Sequence, residues 1–445
     1  MCDCRCYIVP PYLLRSISDS QHNPPAVREA ARAALTRQST ASTCRHDHTK
    51  ALLKEQRGWK SKVLWGRVRK RRSQGTPKVV SVGLLRHIVE SENVDERVKE
   101  RARRDLTAAK QKYIVKSGTK PASDEVRPHP AEDRTFYRAI YDAKNSNFEF
   151  SLPGTVARVE GERPVDDKAV NESYDNVGQV LQMFKDFFDW TSIDNENSHI
   201  ISTVHFGDRY ENAYWDPDKM QLVFGDGDEF LKNFTGTVDV IGHELTHAVT
   251  DNISPLLYYG QSGALNEHIS DVFGIIVKQR KEKEDAASAD WLIGEGCLVP
   301  GVKGIALRSM KAPGTAYDDP RFGKDPQPDH FKYYEDTYED NGGVHIYSGI
   351  PNKAFYLIAK EFGGYSWQRA GKIWWDTLQS DSLSPDTNFI GFANATVSTA
   401  RKTFDDEAAK IVEKGWKEVG VIPDGGAAES GSSWMDRIMD SCNPF

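Results

Sequence analysis

The chain has no uninterrupted apolar stretch near the roughly 18–20 residues that a membrane span needs, so no segment is expected to cross a bilayer. Its start, Met1-Cys2-Asp3-Cys4-Arg5-Cys6, runs into Pro10 and Pro11 before an apolar core of leader-peptide length can form. The reading that follows is synthesis in the cytoplasm without a signal peptide, with a non-classical route for any product that leaves the cell. Cysteine is scarce and badly spread for a disulfide framework: six in 445 residues, at 2, 4, 6, 44, 297 and 442, which suits a reducing compartment. Nor is either charge in large excess. A formal net of −7, from 58 basic and 65 acidic residues, gives no grounds for a nucleic-acid or membrane-surface partner, and the chain is expected to be a monomer.

What is present changes character along the chain. Residues 1–132 are rich in Arg, Lys and Ala and contain a repeat: a shift of 71 positions lays 13–36 on 84–107 without gaps, with 11 of 24 pairs identical. Each copy reads as a short apolar strand or turn followed by a charged helix. Between them lies a basic linker, ending in Arg67-Val68-Arg69-Lys70-Arg71-Arg72. From Lys116 to Asp133 the chain is rich in Pro, Ser and acidic residues and reads as an exposed linker open to cleavage. Strand-like alternation follows from Arg134 to Arg163, around His199 to Phe206 and from Gln221 to Phe224. A strong helical period holds Val170, Tyr174, Val177, Leu181, Phe184 and Phe188 on one face of 167–190. Beyond residue 235 the pattern is mostly helical. An α+β protein is expected: a largely helical segment 1–132, a β-rich lobe 133–252 ending in a helix, a helical lobe 253–422, and a loose tail 423–445.

Chemistry concentrates in Val240 to Thr250. On a helix, His243 and His247 stack on one face and can grip one ion while Glu244 projects beside them, the H-E-x-x-H arrangement of a zinc site with its own base. A catalytic zinc usually has three protein ligands, so a third is needed. A histidine six residues beyond His247 would serve, but Ile253 stands there. Glu267 and Asp271 share a face of the next helix, so Glu267 can ligate while Asp271 accepts the free N–H of a ligating imidazole. His268 lies on another face and reads as a surface or packing residue.

These two helices, with Asn212-Ala213-Tyr214-Trp215, Gly225-Asp226-Gly227-Asp228, Leu307-Arg308-Ser309-Met310 and Asp340-Asn341-Gly342-Gly343-Val344-His345, resemble the thermolysin-like zinc metallopeptidases over about residues 134–421. The start Tyr7-Ile8-Val9-Pro10-Pro11-Tyr12-Leu13 is similar to the protealysin-like branch, whose precursors carry a short propeptide with a diproline. The resemblance implies a two-lobed catalytic region with the zinc helix at the join, and a neutral endopeptidase made as a zymogen. It implies one zinc on His243, His247 and Glu267, Glu244 as base, His345 and Tyr258 as oxyanion donors, and Asp340 orienting His345. Asn212 and the Ala213 backbone would hold a peptide or protein substrate as an added strand, and Arg308 would take the carbonyl beyond the scissile bond. Phe234, Val240, Ile293 and Leu307 would line a pocket for bulky apolar side chains, so cuts are expected on their N-terminal side. Pro10 and Pro11 would make the chain's own propeptide an inhibitor, with Cys6, Cys2 or Cys4 as a possible sulfur ligand to the metal.

The chain also departs from the family. Lys278 stands where a calcium-binding Glu is usual and Leu292 occupies another position of that cluster, while Asp239, Asp290 and Glu295 remain; Ca2+ binding there is expected to be weak or absent. Tyr347 replaces an Asn two residues after His345. Two competing readings remain. A zinc aminopeptidase would want a G-x-M-E-N loop, which is missing. A latent interaction protein, permanently covered by 1–132 and without turnover, would have no use for Glu244.

Overall fold

The structure, a computed structural model, describes residues 6–36, 38 and 136–423. The second repeat copy, the basic linker, Cys2, Cys4 and residues 424–445 lie outside them.

A six-stranded sheet forms the first lobe, in the order β1 (Cys6–Tyr7), β5 (Ala213–Asp216), β6 (Gln221–Phe224), β4 (Ile200–Val204), β2 (Arg138–Asp142), β3 (Thr155–Val159). The β2–β4 and β4–β6 pairs are parallel and the others antiparallel. Helix α2 (Lys168–Phe188) packs against β2, β3 and β4, capped by the Asp167 side chain, which accepts from Val170 N at 3.1 Å. The predicted stripe of Val170, Tyr174, Val177, Leu181, Phe184 and Phe188 is its buried face.

Ahead of the sheet in sequence, β1 leads into α1 (Pro11–Asp19), with Pro11 at the first helical position, where its missing N–H costs nothing. A further helical segment covers 25–36. So the first repeat copy is helix, turn, helix: its apolar start, expected as a short strand or turn, is part of α1, and only the charged helix after it is as expected.

Helices α3 (Val238–Ile253) and α4 (Gly260–Glu282) form the centre, and residues 238–250 of α3 are all buried. They touch through two glycines. A Cβ on Gly242 would lie 2.9 Å from Gly274 Cα, and one on Gly274 would lie 2.6 Å from Asp239 O. Any larger residue at either position would wedge the helices apart and lift Glu267 away from the histidines. The second lobe continues with α5 (Asp340–Tyr347), α6 (Gly349–Phe362), α7 (Ala370–Leu378), α8 (Phe389–Thr403) and α9 (Asp406–Glu418), around a core in which Trp374 and Trp416 stack at 6.0 Å.

Between α4 and α5 the expected helical continuation gives way to loops with two short strand pairs: β7 (Leu292–Ile293) with β8 (Arg308–Ser309), and β9 (Asp318–Asp319) with β10 (Gly323–Lys324). This stretch, with Gly294, Gly296, Gly301 and Gly314 at positive φ, is punctuated too often for a helix. Among the described residues no helix is long and apolar enough to cross a membrane.

Candidate active site

Helix α3 puts His243 and His247 one turn apart, and α4 brings Glu267 against them. The nearest ligand-atom separations are His243 Nε2 to His247 Nε2 3.1 Å, His243 Nε2 to Glu267 Oε2 3.3 Å, and His247 Nε2 to Glu267 Oε1 3.5 Å. Tetrahedral zinc with bonds of about 2.0–2.1 Å has ligand edges of about 3.3 Å, so the set has the size of a zinc site. The donor chemistry agrees. His243 Nδ1 donates to Asp271 Oδ1 at 2.8 Å and His247 Nδ1 to Asn266 Oδ1 at 2.7 Å, which turns both Nε2 atoms inward to face one another, an arrangement that a shared metal ion makes favourable.

Glu244 is fully buried beside this trio. Its Oε2 accepts Trp215 N at 2.8 Å, while Oε1 has no hydrogen-bond partner among the described residues. Burial pushes its carboxyl up to about 8, with Glu267 pushing the same way and His243 and Arg308 opposing. A divalent ion would pull it back toward neutrality, the range a general base needs. Burial opposes ionisation of Glu267 as well, but the charge of His345 holds it well below the usual carboxylate range.

His345 is delivered by an unusual turn. Asp340, Asn341, Gly342 and Gly343 take φ values of 52, 54, 83 and 75°, so the first half of α5 is a run of left-handed residues. That turn lets Asp340 accept from both the His345 backbone N (2.8 Å) and Nδ1 (2.7 Å), and Nε2 points into the cleft. Tyr258 OH donates to Glu267 Oε1 and lies 3.4 Å from His345 Nε2. Tyr347, which raised a question about local geometry, closes over the turn: its ring is where a Gly343 side chain would be, its OH accepts Glu335 N at 3.2 Å, and it packs on Tyr334 at 4.5 Å.

Chain residues 7–9 already lie across this site. Tyr7 pairs antiparallel with Tyr214, Ile8 N donates to Ala213 O (3.2 Å), and Asn212 exchanges bonds with Val9 N (2.9 Å) and O (3.3 Å). His345 Nε2 donates to Tyr7 O at 2.8 Å, and Arg308 Nη1 to Ile8 O at 3.1 Å. Arg308 is itself fixed, forked onto Asp271 at 2.9 and 2.7 Å. Phe234, Val240, Ile293 and Leu307 are all buried. Pro10 caps α1, its O accepting Leu13 N at 3.1 Å, with Pro11 beside it. Cys6 pairs through its backbone with Trp215.

Known proteins match this chain over both lobes. The descriptions "Thermolysin metallopeptidase, catalytic domain" and "Thermolysin metallopeptidase, alpha-helical domain" cover residues 100–251 and 254–421. "Protease PrtS" of Photorhabdus sp. (strain Az29) is 49% identical over 290 residues, 64% of this chain and 77% of that protein. The chain belongs to the thermolysin-like metallopeptidases. An "Extracellular metalloprotease" of Pectobacterium carotovorum subsp. carotovorum is 46% identical over 303 residues, 67% of this chain and 86% of its own. Among solved structures, the precursor of protealysin from Serratia proteamaculans matches with a TM-score of 0.63 and 45% identity, over 76% of this chain and 97% of that one, so within the family this chain is protealysin-like. As a thermolysin-like metallopeptidase it is a zinc metalloendopeptidase.

Two features lie behind the site. Lys278 Nζ sits 2.8 and 3.0 Å from the Asp290 oxygens, 2.8 Å from Glu295 Oε2 and 3.2 Å from Leu292 O. Burial works against its charge, but Asp239, Asp290 and Glu295 hold the ammonium above its ordinary range. His268, read from the sequence as a surface or packing residue, is fully buried and hydrogen-bonded at both nitrogens, to Asn352 Oδ1 (2.7 Å) and Trp374 Nε1 (2.8 Å); burial pushes it down to about 4, so it is neutral. Sequence reasoning also missed Asn266 as the partner of His247 and Asn352 as a donor to Asp271 Oδ2 (2.9 Å). For Asn266 a signal existed, since it directly precedes Glu267 in the motif; Asn352 offers none, being 81 residues from its acceptor.

Proposed function

We propose that the chain is a zymogen endopeptidase whose residues 6–9 occupy its own cleft as a substrate-like strand, and that the mature enzyme cuts before bulky apolar residues. The observation that carries the reading is the register of that strand: its Tyr7 carbonyl meets His345 while its Ile8 carbonyl meets Arg308. A substrate in the same register places the carbonyl of the scissile bond at His345 and the next side chain where Ile8 lies, 0% exposed in an apolar surrounding.

In this mechanism His243, His247 and Glu267 would hold zinc, and the chemistry it would supply is acidification of a water and polarisation of the scissile carbonyl. Glu244 takes the water's proton and returns it to the leaving amine. His345 and Tyr258 donate to the oxygen as it gains charge, and Asp340 keeps His345 doubly protonated and aimed. Asn212 and Ala213 bind substrate backbone as β5 binds β1, and Arg308 fixes the carbonyl one residue further on. Phe234, Val240, Ile293 and Leu307 set the apolar preference. Residues 1–132 form the propeptide, 133–252 and 253–422 the two catalytic lobes.

The test is latency. Placing a charge where Ile8 is buried, in Ile8→Asp, weakens docking of the strand by several kcal/mol unless the group is paired, so peptide hydrolysis should begin without the lag of the parent chain. Equal lags in both would overturn the reading.

A further inference from the structure

A chain of hydrogen bonds runs from the second-lobe core to the first metal ligand, and each link fixes the polarity of the next. The Trp374 indole can only donate, so His268 Nε2, 2.8 Å away, must accept and carry no proton. His268 is therefore the Nδ1–H tautomer, donating to Asn352 Oδ1 at 2.7 Å. With that oxygen used, Asn352 turns its amide nitrogen to Asp271 Oδ2 at 2.9 Å. Asp271 Oδ1 then accepts His243 Nδ1–H at 2.8 Å, which leaves the lone pair of His243 Nε2 facing Glu267 and His247. All five side chains are 0% exposed, so no water competes at any link.

We propose that Trp374, His268 and Asn352 are positioning residues for the metal centre: together they set the orientation of Asp271 and, through it, the tautomer and aim of His243. The inference rests on the zinc-site reading of His243, His247 and Glu267. Each Asp271 oxygen takes two donors, Arg308 Nε and Asn352 on Oδ2, Arg308 Nη2 and His243 on Oδ1. Without Asn352 the carboxylate keeps its charge partner but loses the donor that stops it rotating about the Arg308 fork. Trp374 is separated from His243 by four hydrogen bonds. It acts by denying His268 the other tautomer, which would present a lone pair to the Asn352 oxygen and turn the amide over.

The experiment measures zinc affinity of the full chain by competition with a chromophoric chelator, in a double-mutant cycle of Asn352→Ala and Trp374→Phe. Asn352→Ala should weaken zinc about 10–100-fold, the usual loss for a partner behind a ligand, and Trp374→Phe roughly threefold to tenfold. The double variant should be no worse than Asn352→Ala alone, because Trp374 acts only through Asn352. In 15N spectra His268 should carry its proton on Nδ1 in the parent chain and become a tautomer mixture in Trp374→Phe. Losses that multiply in the double variant, an unchanged zinc affinity, or an Nε2–H His268 in the parent would each overturn the relay. If Asn352→Ala does not fold, His268→Phe replaces it in the cycle with the same expectation. A parent chain that takes up no zinc would instead overturn the metal-site reading on which the relay stands.

Discussion

Replacing Lys278 with Met keeps most of the side-chain volume and removes the charge, leaving Asp239, Asp290 and Glu295 facing one another. Lys278 is 4% exposed and Asp239 2%, whereas the Asp290 and Glu295 side chains are 33% and 50% exposed. Removing one partner of a fully buried pair costs about 3–5 kcal/mol. Because water screens two of the three acids here, about 2–3 kcal/mol is the better figure. With an unfolding entropy of about 2.1 cal/mol/K per residue over residues 136–423, each kcal/mol is worth about 1.5–2 °C, so Tm should fall by about 3–6 °C. Calcium should matter only in the variant. The freed carboxylates and the Leu292 carbonyl are oxygen donors of the kind calcium takes, and calcium at about 100 times its Kd would return at most about 2.7 kcal/mol. Calorimetry of the zinc-loaded chain with and without millimolar calcium makes the comparison. The reasoning is refuted if the parent chain itself gains several degrees from calcium and Asp290→Ala abolishes the gain, or if Lys278→Met melts with the parent.

Glu244→Gln should keep about one zinc per chain by elemental analysis and lose on the order of a thousandfold in kcat, whereas Glu267→Ala should lose the metal; near-normal turnover in the first variant would exclude Glu244 as the base. Cuts mapped in a denatured protein should fall before Leu, Phe and Ile, and a dominant cut after basic residues would contradict the pocket. Pro10→Ala/Pro11→Ala should shorten the activation lag by loosening the start of α1, while Cys6→Ser should do so only if sulfur reaches the metal. His205 bridges Asp226 (2.6 Å) and Asp167 (2.9 Å), the cap of α2, and the Asp226 bond, against burial and with help from Asp167, raises it to about 9. A raised histidine stabilises the fold fully below its unfolded value of about 6.5 and loses that contribution as pH climbs through about 9. The stability gap between the parent and His205→Gln should therefore be about 1–2 kcal/mol near pH 6, after allowance for screening, and close by pH 10 in urea titrations; a gap that widens with pH would reverse the assignment.

The metal site is the most legible part of the sequence because its ligands are local. His243 and His247 are one helical turn apart, and Glu267 and Asp271 another, so periodicity alone puts each pair on a face. The α2 stripe is legible for the same reason. By contrast β1 is two residues long and pairs with a strand some 200 positions away, so no local pattern marks it as a strand; only the likeness of Pro10-Pro11 to a known propeptide pointed to the cleft. The loops from 284 to 339 mislead because their scattered apolar residues mimic a helical period while their left-handed glycines forbid one. For His268 the sequence left surface and packing both open, because an imidazole's burial depends on partners supplied by α6 and α7, 84 and 106 residues downstream.

A four-residue strand at the margin of a sheet, with its backbone groups turned outward, is the sort of surface on which two copies of a protein join by accident. If substrate binds as proposed, β5 cannot be blunted with proline, lysine or a bulge as other margins are, since Asn212 and Ala213 must stay open to an extended peptide. Strand β1 answers this conflict by contributing a neighbour from the same chain. While it is in place, β5 pairs with β6 along all four of its residues and with β1 at Tyr214 and Trp215, which leaves less open edge for a second copy to join. On the zymogen reading proposed above, loss of that neighbour would raise the enzyme's tendency to self-associate and its capacity to grip substrate together, because both would come from the same exposed row of N–H and C=O groups.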